Sequence, residues 1–311
     1  MKKRLDILLT GVLTDTHTRS QITNLIKNGC VTVNGKVVTK AGTEVTPADI
    51  VNVLMDTSAE RTSCIPEDIK IDIVFEDEHL MIINKPRGMV VHPGAGNKNG
   101  TLLNGLLYLI DNTDEADEPD ESDKAALSRA GIVHRLDKNT AGLMVVAKTA
   151  PVQAKLAAML EKHEIERVYH GIVEGAWEGE GSINKNIIRD PKHRTLFTTK
   201  SQGSAKQVLQ TTATGGRTAI THYKVLKAFK KHSLVEFRLE TGRTHQIRVH
   251  AKSAGHPLIG DPEYNPNSSV KASGQMLESI SISFIHPVTG KGVTKKIDTT
   301  DEFKHVLSKT C

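Results

Sequence analysis

The chain has few cysteines and no long apolar segment. Three cysteines occur in 311 residues, at Cys30, Cys64 and Cys311, without paired spacing. This argues against a disulfide framework and a zinc site, and it fits a reducing cytoplasm. No segment approaches the roughly 18 consecutive apolar residues of a membrane span. The N-terminus lacks a small-residue cleavage site, so we expect neither a membrane segment nor a signal peptide.

Several common catalytic motifs are also missing. The chain contains no GxxxxGK[ST] phosphate loop, no HExxH zinc motif and no GxSxG nucleophile turn. Gly94-Ala95-Gly96 is followed by residues with the wrong spacing for a dinucleotide-binding turn. We therefore expect an activity that requires no metal and no nucleotide cofactor.

Charge is distributed unevenly along the chain. Lys and Arg number 41 and Asp and Glu 36, but eight of the acidic residues lie in the loop 111–123, which has no Lys or Arg. Outside that loop, basic residues therefore exceed acidic ones by 13. We interpret the acidic loop as a solvated insertion and assign it no function. The remaining basic excess fits a polyanionic partner such as nucleic acid.

Residues 1–57 have the pattern of a small domain containing a helix and a hairpin. Segment 15–29 has helix signals, with Thr18 or Ser20 as the N-cap and Gly29 as the stop. Asn34-Gly35 stands between two alternating runs, which predicts a tight hairpin turn. A further strand is expected within 49–55.

Three cations of this module are candidate RNA contacts. Arg19, Lys27 and Lys36 can lie on one exposed face, although ordinary solubilising charges explain them equally well. The order of the pieces from Arg4-Leu5-Asp6 to Asn34-Gly35-Lys36 resembles the RNA-binding domain named after the fourth small-subunit ribosomal protein. The resemblance covers about residues 4–53, and it implies RNA binding rather than chemistry.

A linker is predicted over 58–68, followed by a large domain over 69–311. Strands are expected on both sides of a polar turn at 76–79 and at 143–147, 167–174, 219–228 and 233–240; helices are expected at 102–110, 150–163 and, with Thr244 as a cap, within 242–255. Strands outnumber helices and are mostly joined by hairpins. The fold class is therefore α+β, with a mixed and mainly antiparallel sheet.

A carboxylate and three potential cations stand directly before the buried run 143–147: His134, Arg135, Asp137 and Lys138. In an extended segment Arg135 and Asp137 point to the same side, and the cation favours the ionised carboxylate. A second cluster, Arg243 to Arg248, can supply another cation from a distant part of the chain. The local pattern alone is explained as well by a structural ion pair as by a reactive carboxylate.

Segment 134–143, HRLDKNTAGL, resembles the central motif of the RluA/RluD family of pseudouridine synthases. Four further blocks follow the order found in that family: 84–93, 167–169, 241–248 and 256–262. The resemblance implies the fold of that family and the isomerisation of uridine in RNA to pseudouridine without a cofactor. The layout resembles the RluD branch, which implies large-subunit ribosomal RNA or a ribosome precursor as the partner.

The resemblance also implies roles for individual residues. Asp137 would be the nucleophile at the anomeric ribose carbon, with a glycal route as the alternative. Arg243 would be its ion-pair partner, and Tyr169 would stack on the flipped uracil and serve as a general base. Four other residues would bind substrate or support the site: Lys85, His134, Arg135 and Arg248.

Two other functions remain open at this point. A non-catalytic RNA-binding protein could keep the same fold, although Asp137, Tyr169 and Arg243 are all present. A glycoside hydrolase would need a second carboxylate across the bond, and the matched motifs supply no obvious one. A transfer RNA target is an alternative to ribosomal RNA, and we expect a monomer.

Overall fold

The computed structural model describes residues 3–12, 19–27, 29–46, 49–53, 64–94, 96–111, 130–191, 193, 196–200 and 216–309. The chain divides into two compact units, 1–63 and 64–311, and the division falls within the segment 58–68 predicted as a linker. Within these ranges no helix is long and apolar enough to cross a membrane. Nearly all of the acidic loop 111–123 lies outside the described residues, so its interpretation stays a prediction.

The described residues of the first unit form two helices and two small sheets. Its elements are β1 (Lys3–Arg4), α1 (Leu5–Val12), α2 (Arg19–Lys27), β2 (Val31–Val33), β3 (Lys36–Val37), β4 (Glu44–Val45) and β5 (Val51–Val53). The three-stranded sheet has the order β3-β2-β5, and β1 pairs with β4. Asn34 and Gly35 both have positive φ, 53° and 75°, which is the geometry that an Asn-Gly hairpin turn requires.

The second unit is built around one large sheet. Its elements are β6 (Asp72–Glu76), β7 (Leu80–Lys85), α3 (Leu102–Asp111), β8 (Ala141–Ala147), α4 (Ala150–Glu161), β9 (Glu166–Glu174), β10 (Glu180–Asn184), β11 (Asn186–Arg189), β12 (Phe197–Lys200), β13 (Ile220–Ala228), β14 (His232–Leu239), α5 (Gln246–Ser253), β15 (Leu277–Ile285), β16 (Gly292–Lys296) and α6 (Asp301–Lys309). The sheet has the order β10-β13-β14-β9-β15-β8-β7-β6, and β16 pairs with β15.

This architecture confirms the expected α+β class. Among the described strand pairs of the large sheet, β15 and β8 run parallel, while the others are antiparallel. The two faces of the sheet are packed differently. Tyr169 and Phe237 point into the larger hydrophobic core, which also contains residues of α3 and α5. On the opposite face α6 packs Phe303 and Val306 against Ile172.

Two glycines fix the path of the segment that carries Asp137. Gly131 has φ +73°, and a Cβ there would lie 1.8 Å from the Ala147 carbonyl oxygen. Gly142 has φ +114°, and a Cβ there would lie 2.2 Å from the Ser279 carbonyl oxygen. Because only glycine accepts both the positive φ and these close approaches, the segment is anchored against the sheet at each end.

One helix begins later than the sequence predicts. Thr244 was expected to cap a helix within 242–255, but α5 begins at Gln246. His245 occupies the N-cap position with a left-handed backbone, φ 57° and ψ 19°, and it makes no side-chain capping bond.

Candidate active site

A cleft of about 740 Å³ opens beside the Asp137 segment. It is formed by residues 132–137 before β8, by Arg167 and Tyr169 of β9, and by residues 239–248 at the start of α5. Arginines predominate among its charged residues: Arg135, Arg167, Arg217, Arg243 and Arg248. The cleft is therefore strongly cationic, with Asp137 and Glu161 as the carboxylates that line it within the described ranges.

Asp137 is held by an arginine other than the one predicted. Its Oδ2 accepts a hydrogen bond of 3.2 Å from Nη1 of Arg248. Arg243 lines the same cleft, but its Nε donates to the Thr218 carbonyl oxygen at 3.1 Å. The prediction that Arg243 is the ion-pair partner of Asp137 was therefore wrong: Arg243, in the turn before α5, bonds to Thr218, and Arg248, within α5, reaches the carboxylate instead.

Arg248 is the centre of a buried carboxylate network. Its Nε and Nη2 donate to the two oxygens of Asp261 at 2.7 Å each, and Nη2 also reaches Glu263 at 2.6 Å. Burial alone would lower the pKa of Arg248, but Asp261, Asp137 and Glu263 raise it well above its ordinary value. The guanidinium stays charged, and its bidentate bond to the fully buried Asp261 leaves Nη1 directed at Asp137.

His245 stands on the other side of the carboxylate, and sequence reasoning assigned it no role. Its Nε2 lies 3.9 Å from Oδ1 of Asp137, and its Nδ1 hydrogen-bonds with the Tyr264 hydroxyl at 2.9 Å. Burial lowers the pKa of His245, which favours the neutral ring. The signal for His245 in the sequence was its position within the 241–248 motif. The left-handed backbone that turns its ring toward Asp137 could not be predicted from that motif.

Tyr169 lines the cleft with its ring almost fully buried. Burial raises the pKa of Tyr169, so its hydroxyl keeps its proton in the free protein. This environment suits a rigid wall against which a base stacks. A role as general base would require the hydroxyl to lose that proton first.

His134 and Arg135 occupy different environments. The His134 ring accepts a hydrogen bond at Nε2 from the Val145 backbone N–H, at 3.0 Å. Burial, together with the charge of Arg167, lowers the pKa of His134 to about 3, so the ring is neutral and ties the segment to β8. Arg135 is exposed at the cleft, where a cation can meet RNA.

Lys85 does not line the cleft. It is fully buried, and its Nζ donates to the carbonyl oxygens of Pro86 and Met89 at 2.9 Å and of Lys138 at 3.2 Å. The prediction that Lys85 binds substrate was therefore wrong. Its ammonium donates to three backbone carbonyl oxygens beneath the Asp137 segment. Strand alternation could have shown this, since Lys85 falls on the same side of β7 as the core residues Met81 and Ile83.

The substitution Lys85→Met tests this buried position. Burial lowers the pKa of Lys85 to about 7, whereas an unfolded lysine titrates near about 10.4. Between these values the unfolded chain binds more protons, so the wild-type free energy of unfolding should rise with pH relative to the variant. Denaturant unfolding of both proteins at several pH values between about 7 and 10 measures this difference. If the difference in free energy of unfolding between wild type and Lys85→Met did not change with pH, the lowered pKa of Lys85 would be contradicted. Lys304→Met, at an exposed site, is the control.

The other predicted RNA contacts lie in the first unit. Lys27 and Lys36 are exposed, in α2 and in β3. The side chain of Arg19 lies outside the described residues, so its role stays a prediction. Arg87 was not singled out, yet it donates to the carbonyl oxygens of Asn139 and Gln275 and to Glu278. It thereby fixes the end of the Asp137 segment to β15.

Comparison with known proteins identifies two regions of the chain. Residues 79–253 match the model of the family described as RNA pseudouridylate synthase, and residues 4–51 match the S4 domain. The first match contains Asp137, Tyr169, Arg243 and Arg248 of the cleft. In the described part of the chain, no group of three or more His, Cys, Asp or Glu side chains is placed to hold a metal ion.

Curated relatives are similar over nearly the whole chain. The chain is 41% identical to ribosomal large subunit pseudouridine synthase D of Neisseria meningitidis serogroup A, over 98% of this chain and 78% of the relative. Identity to the protein of the same name in Escherichia coli K12 is 40%, over 93% of this chain and 84% of that protein. The solved structure of human RNA pseudouridylate synthase domain containing 4 has a similar fold, with a TM-score of 0.59 at 21% sequence identity. The alignment covers 77% of this chain and 92% of the human chain.

Proposed function

The chain belongs to the RNA pseudouridylate synthase family and is an RNA pseudouridine synthase with an S4 domain; from this premise we propose that it isomerises uridines of large-subunit ribosomal RNA, with Asp137 as the nucleophile. The relatives' names support the choice of RNA. The proposal needs no metal and no cofactor. The monomeric state and the cytoplasmic location stay predictions.

The observation that carries the proposal is the asymmetric environment of Asp137. Arg248 binds Oδ2, while Oδ1 faces the cleft side occupied by His245. With Oδ2 held by Arg248, the carboxylate is fixed in orientation and Oδ1 is the oxygen available to react. A carboxylate suits this reaction because it can attack a cation-like sugar carbon and later leave again.

The proposed reaction exchanges one bond to ribose for another. The bond between uracil N1 and ribose C1′ breaks, its electron pair stays on the uracil, and Asp137 Oδ1 bonds to C1′. The uracil turns within the cleft, C5 attacks C1′, and the carboxylate leaves. Loss of the C5 proton to a base and protonation of N1, which no longer carries the ribose, then complete pseudouridine. In the glycal alternative a base removes the C2′ proton, so a primary isotope effect with deuterium at C2′ distinguishes the two routes.

The target nucleotide must leave the RNA stack to reach this carboxylate. We propose that the buried ring of Tyr169 supports the flipped uracil and that the exposed Arg135 fills the vacated space or contacts a neighbouring phosphate. The base for the C5 proton would be Tyr169 only after its hydroxyl has given up its own proton. Arg243, which is free of Asp137, contributes to RNA binding in this scheme.

Pseudouridine mapping in cells tests the function directly. Ribosomal and transfer RNA are mapped from cells with and without this gene, and again after re-expression. We expect specific large-subunit sites to disappear and to return with the wild-type protein. Loss of transfer RNA sites alone would contradict the proposed target. No change at any site, in cells shown to express the protein, would favour the RNA-binding alternative.

The double substitution Lys27→Glu and Lys36→Glu tests the first unit. If both lysines contact phosphates, affinity for structured RNA should fall, and the slope of log affinity against log salt should decrease by about two. Binding titrations at several salt concentrations measure this. The matched control is Lys304→Glu with Lys309→Glu, two exposed positions on α6. Equal losses in the two proteins would remove the specific role of Lys27 and Lys36.

A further inference from the structure

Arg167 lies at the cleft beside the ring proposed to support the uracil. It belongs to β9, two residues before Tyr169, so both side chains point to the same face of the sheet. Both residues line the cleft. Arg167 is only 6% exposed, so its guanidinium is almost as strongly desolvated as the ring of Tyr169.

The guanidinium of Arg167 has no partner among the residues that the structure describes. Its Nε is buried without a hydrogen-bond partner, and the side chain takes part in no hydrogen bond or ion pair within those ranges. The other buried arginines near Asp137 are fully paired. Arg248 binds three carboxylates, and Arg87 binds Glu278, Glu302 and two carbonyl oxygens.

A buried charge without a counterion is expensive, which is why such charges are nearly always paired. The groups around Arg167 do not compensate it. His134 is neutral, in part because the charge of Arg167 lowers its pKa, and burial keeps the Tyr169 hydroxyl protonated. Among the residues that the structure describes, the positive charge therefore has no negative partner.

The turn before α5 approaches the guanidinium of Arg167 closely at a glycine. Gly242 lies in the exposed turn before α5, and a Cβ at this position would approach Nη1 of Arg167 to 3.0 Å and Nη2 to 3.8 Å. Any larger residue would cover the edge of the guanidinium. With glycine at this position, the donors of Nη1 and Nη2 are not screened by a side chain on the cleft side.

We infer that Arg167 binds a phosphate oxygen of the RNA next to the flipped uridine, so that the substrate supplies the counterion that is absent among the described residues. A phosphodiester carries a full negative charge and matches the planar, two-pronged donor geometry of arginine. The carbonyl oxygens of a neutral uracil would leave the buried charge uncompensated. The inference rests on the proposed function, because it requires a nucleotide in this cleft.

The test combines a protein variant with a neutral phosphate analogue. The RNA is a short hairpin around a uridine identified by mapping, and a methylphosphonate replaces in turn the phosphate on its 5′ and on its 3′ side. Binding and turnover are measured for full-length wild type and Arg167→Gln. The exposed cleft residue Arg217, changed to Gln, is the matched comparison.

We expect Arg167→Gln to weaken binding by about tenfold to a hundredfold, with kcat at saturation changed less than about threefold. One methylphosphonate should weaken wild-type binding by a similar factor and should not weaken Arg167→Gln further, since the pair is already broken. Arg217→Gln should remain fully sensitive to that methylphosphonate.

Three results would overturn the inference. If each methylphosphonate weakened binding to Arg167→Gln by the same factor as binding to wild type, Arg167 would contact neither phosphate. A fall in kcat without weaker binding would assign Arg167 to the uracil instead. Wild-type binding insensitive to both methylphosphonates would exclude the contact even if Arg167→Gln failed to fold. Failure of the proposed function is a separate result, because wild type would then form no pseudouridine while the binding comparison could still be made.

Discussion

Asp137→Asn is expected to abolish turnover while leaving RNA affinity within about tenfold of wild type. The amide cannot act as an anionic nucleophile, so the bond to ribose C1′ cannot form, and kcat should fall by at least about a thousandfold. Binding should persist because it depends on the arginines of the cleft and on the first unit, and one neutralised carboxylate removes no phosphate contact. Single-turnover assays and equilibrium titrations on the same RNA measure the two quantities separately.

Structural damage is distinguishable from loss of chemistry in this experiment. Arg248 keeps Asp261 and Glu263 as partners when Asp137 is neutralised, so the thermal unfolding temperature should change little. Glu178→Gln, which removes an exposed carboxylate that does not line the cleft, is the matched control and should retain wild-type turnover. Joint loss of affinity and turnover in Asp137→Asn would contradict the assigned role.

The elements that the sequence predicted well are those determined by local chemistry. The Asn34-Gly35 turn needs two residues that accept positive φ, and the apolar run within Ala141–Ala147 can only be a buried strand. β15 was not predicted. Its Ser279, Ser281 and neighbouring apolar residues alternate as in a half-exposed strand, yet both serines are buried, Ser279 between β9 and β8 and Ser281 between β9 and β16. The Ser279 hydroxyl donates to the Leu143 carbonyl oxygen, a partner about 136 residues away.

The candidate site was predicted to the level of its segments but not of its contacts. Asp137 and Tyr169 both line the cleft, as expected from their motifs. Which arginine meets Asp137 depends on how the chain turns into α5, and α5 starts later than the Thr244 cap signal predicts. The left-handed backbone of His245 sets that start, and no propensity at a histidine predicts it. Lys85 and Arg167 were misjudged or overlooked because their importance lies in burial, which depends on the packing of distant strands.

The correction from Arg243 to Arg248 leads to the second large effect. Arg248→Ala is expected to reduce turnover by at least about a hundredfold and to destabilise the fold by about 3–5 kcal/mol. The change removes the cation that orients Asp137 and leaves the fully buried carboxylate of Asp261 without its counterion. Thermal unfolding should show a Tm lower by roughly 10 °C, and steady-state kinetics on the same RNA should show the loss in kcat.

Arg243→Ala is the comparison that separates the two arginines. Arg243 lines the cleft, and its side chain bonds within the described residues to the carbonyl oxygen of the exposed Thr218, so its loss should leave Tm unchanged and act mainly on KM. The double variant Arg248→Asn with Asp261→Asn removes the cation and the buried anion together. Compared with Arg248→Ala, it should recover much of the stability. It should not recover turnover, because Asp137 still lacks its partner. If Arg243→Ala instead lost kcat as severely as Arg248→Ala, the ion pair between Asp137 and Arg248 could not be the arrangement on which the reaction depends.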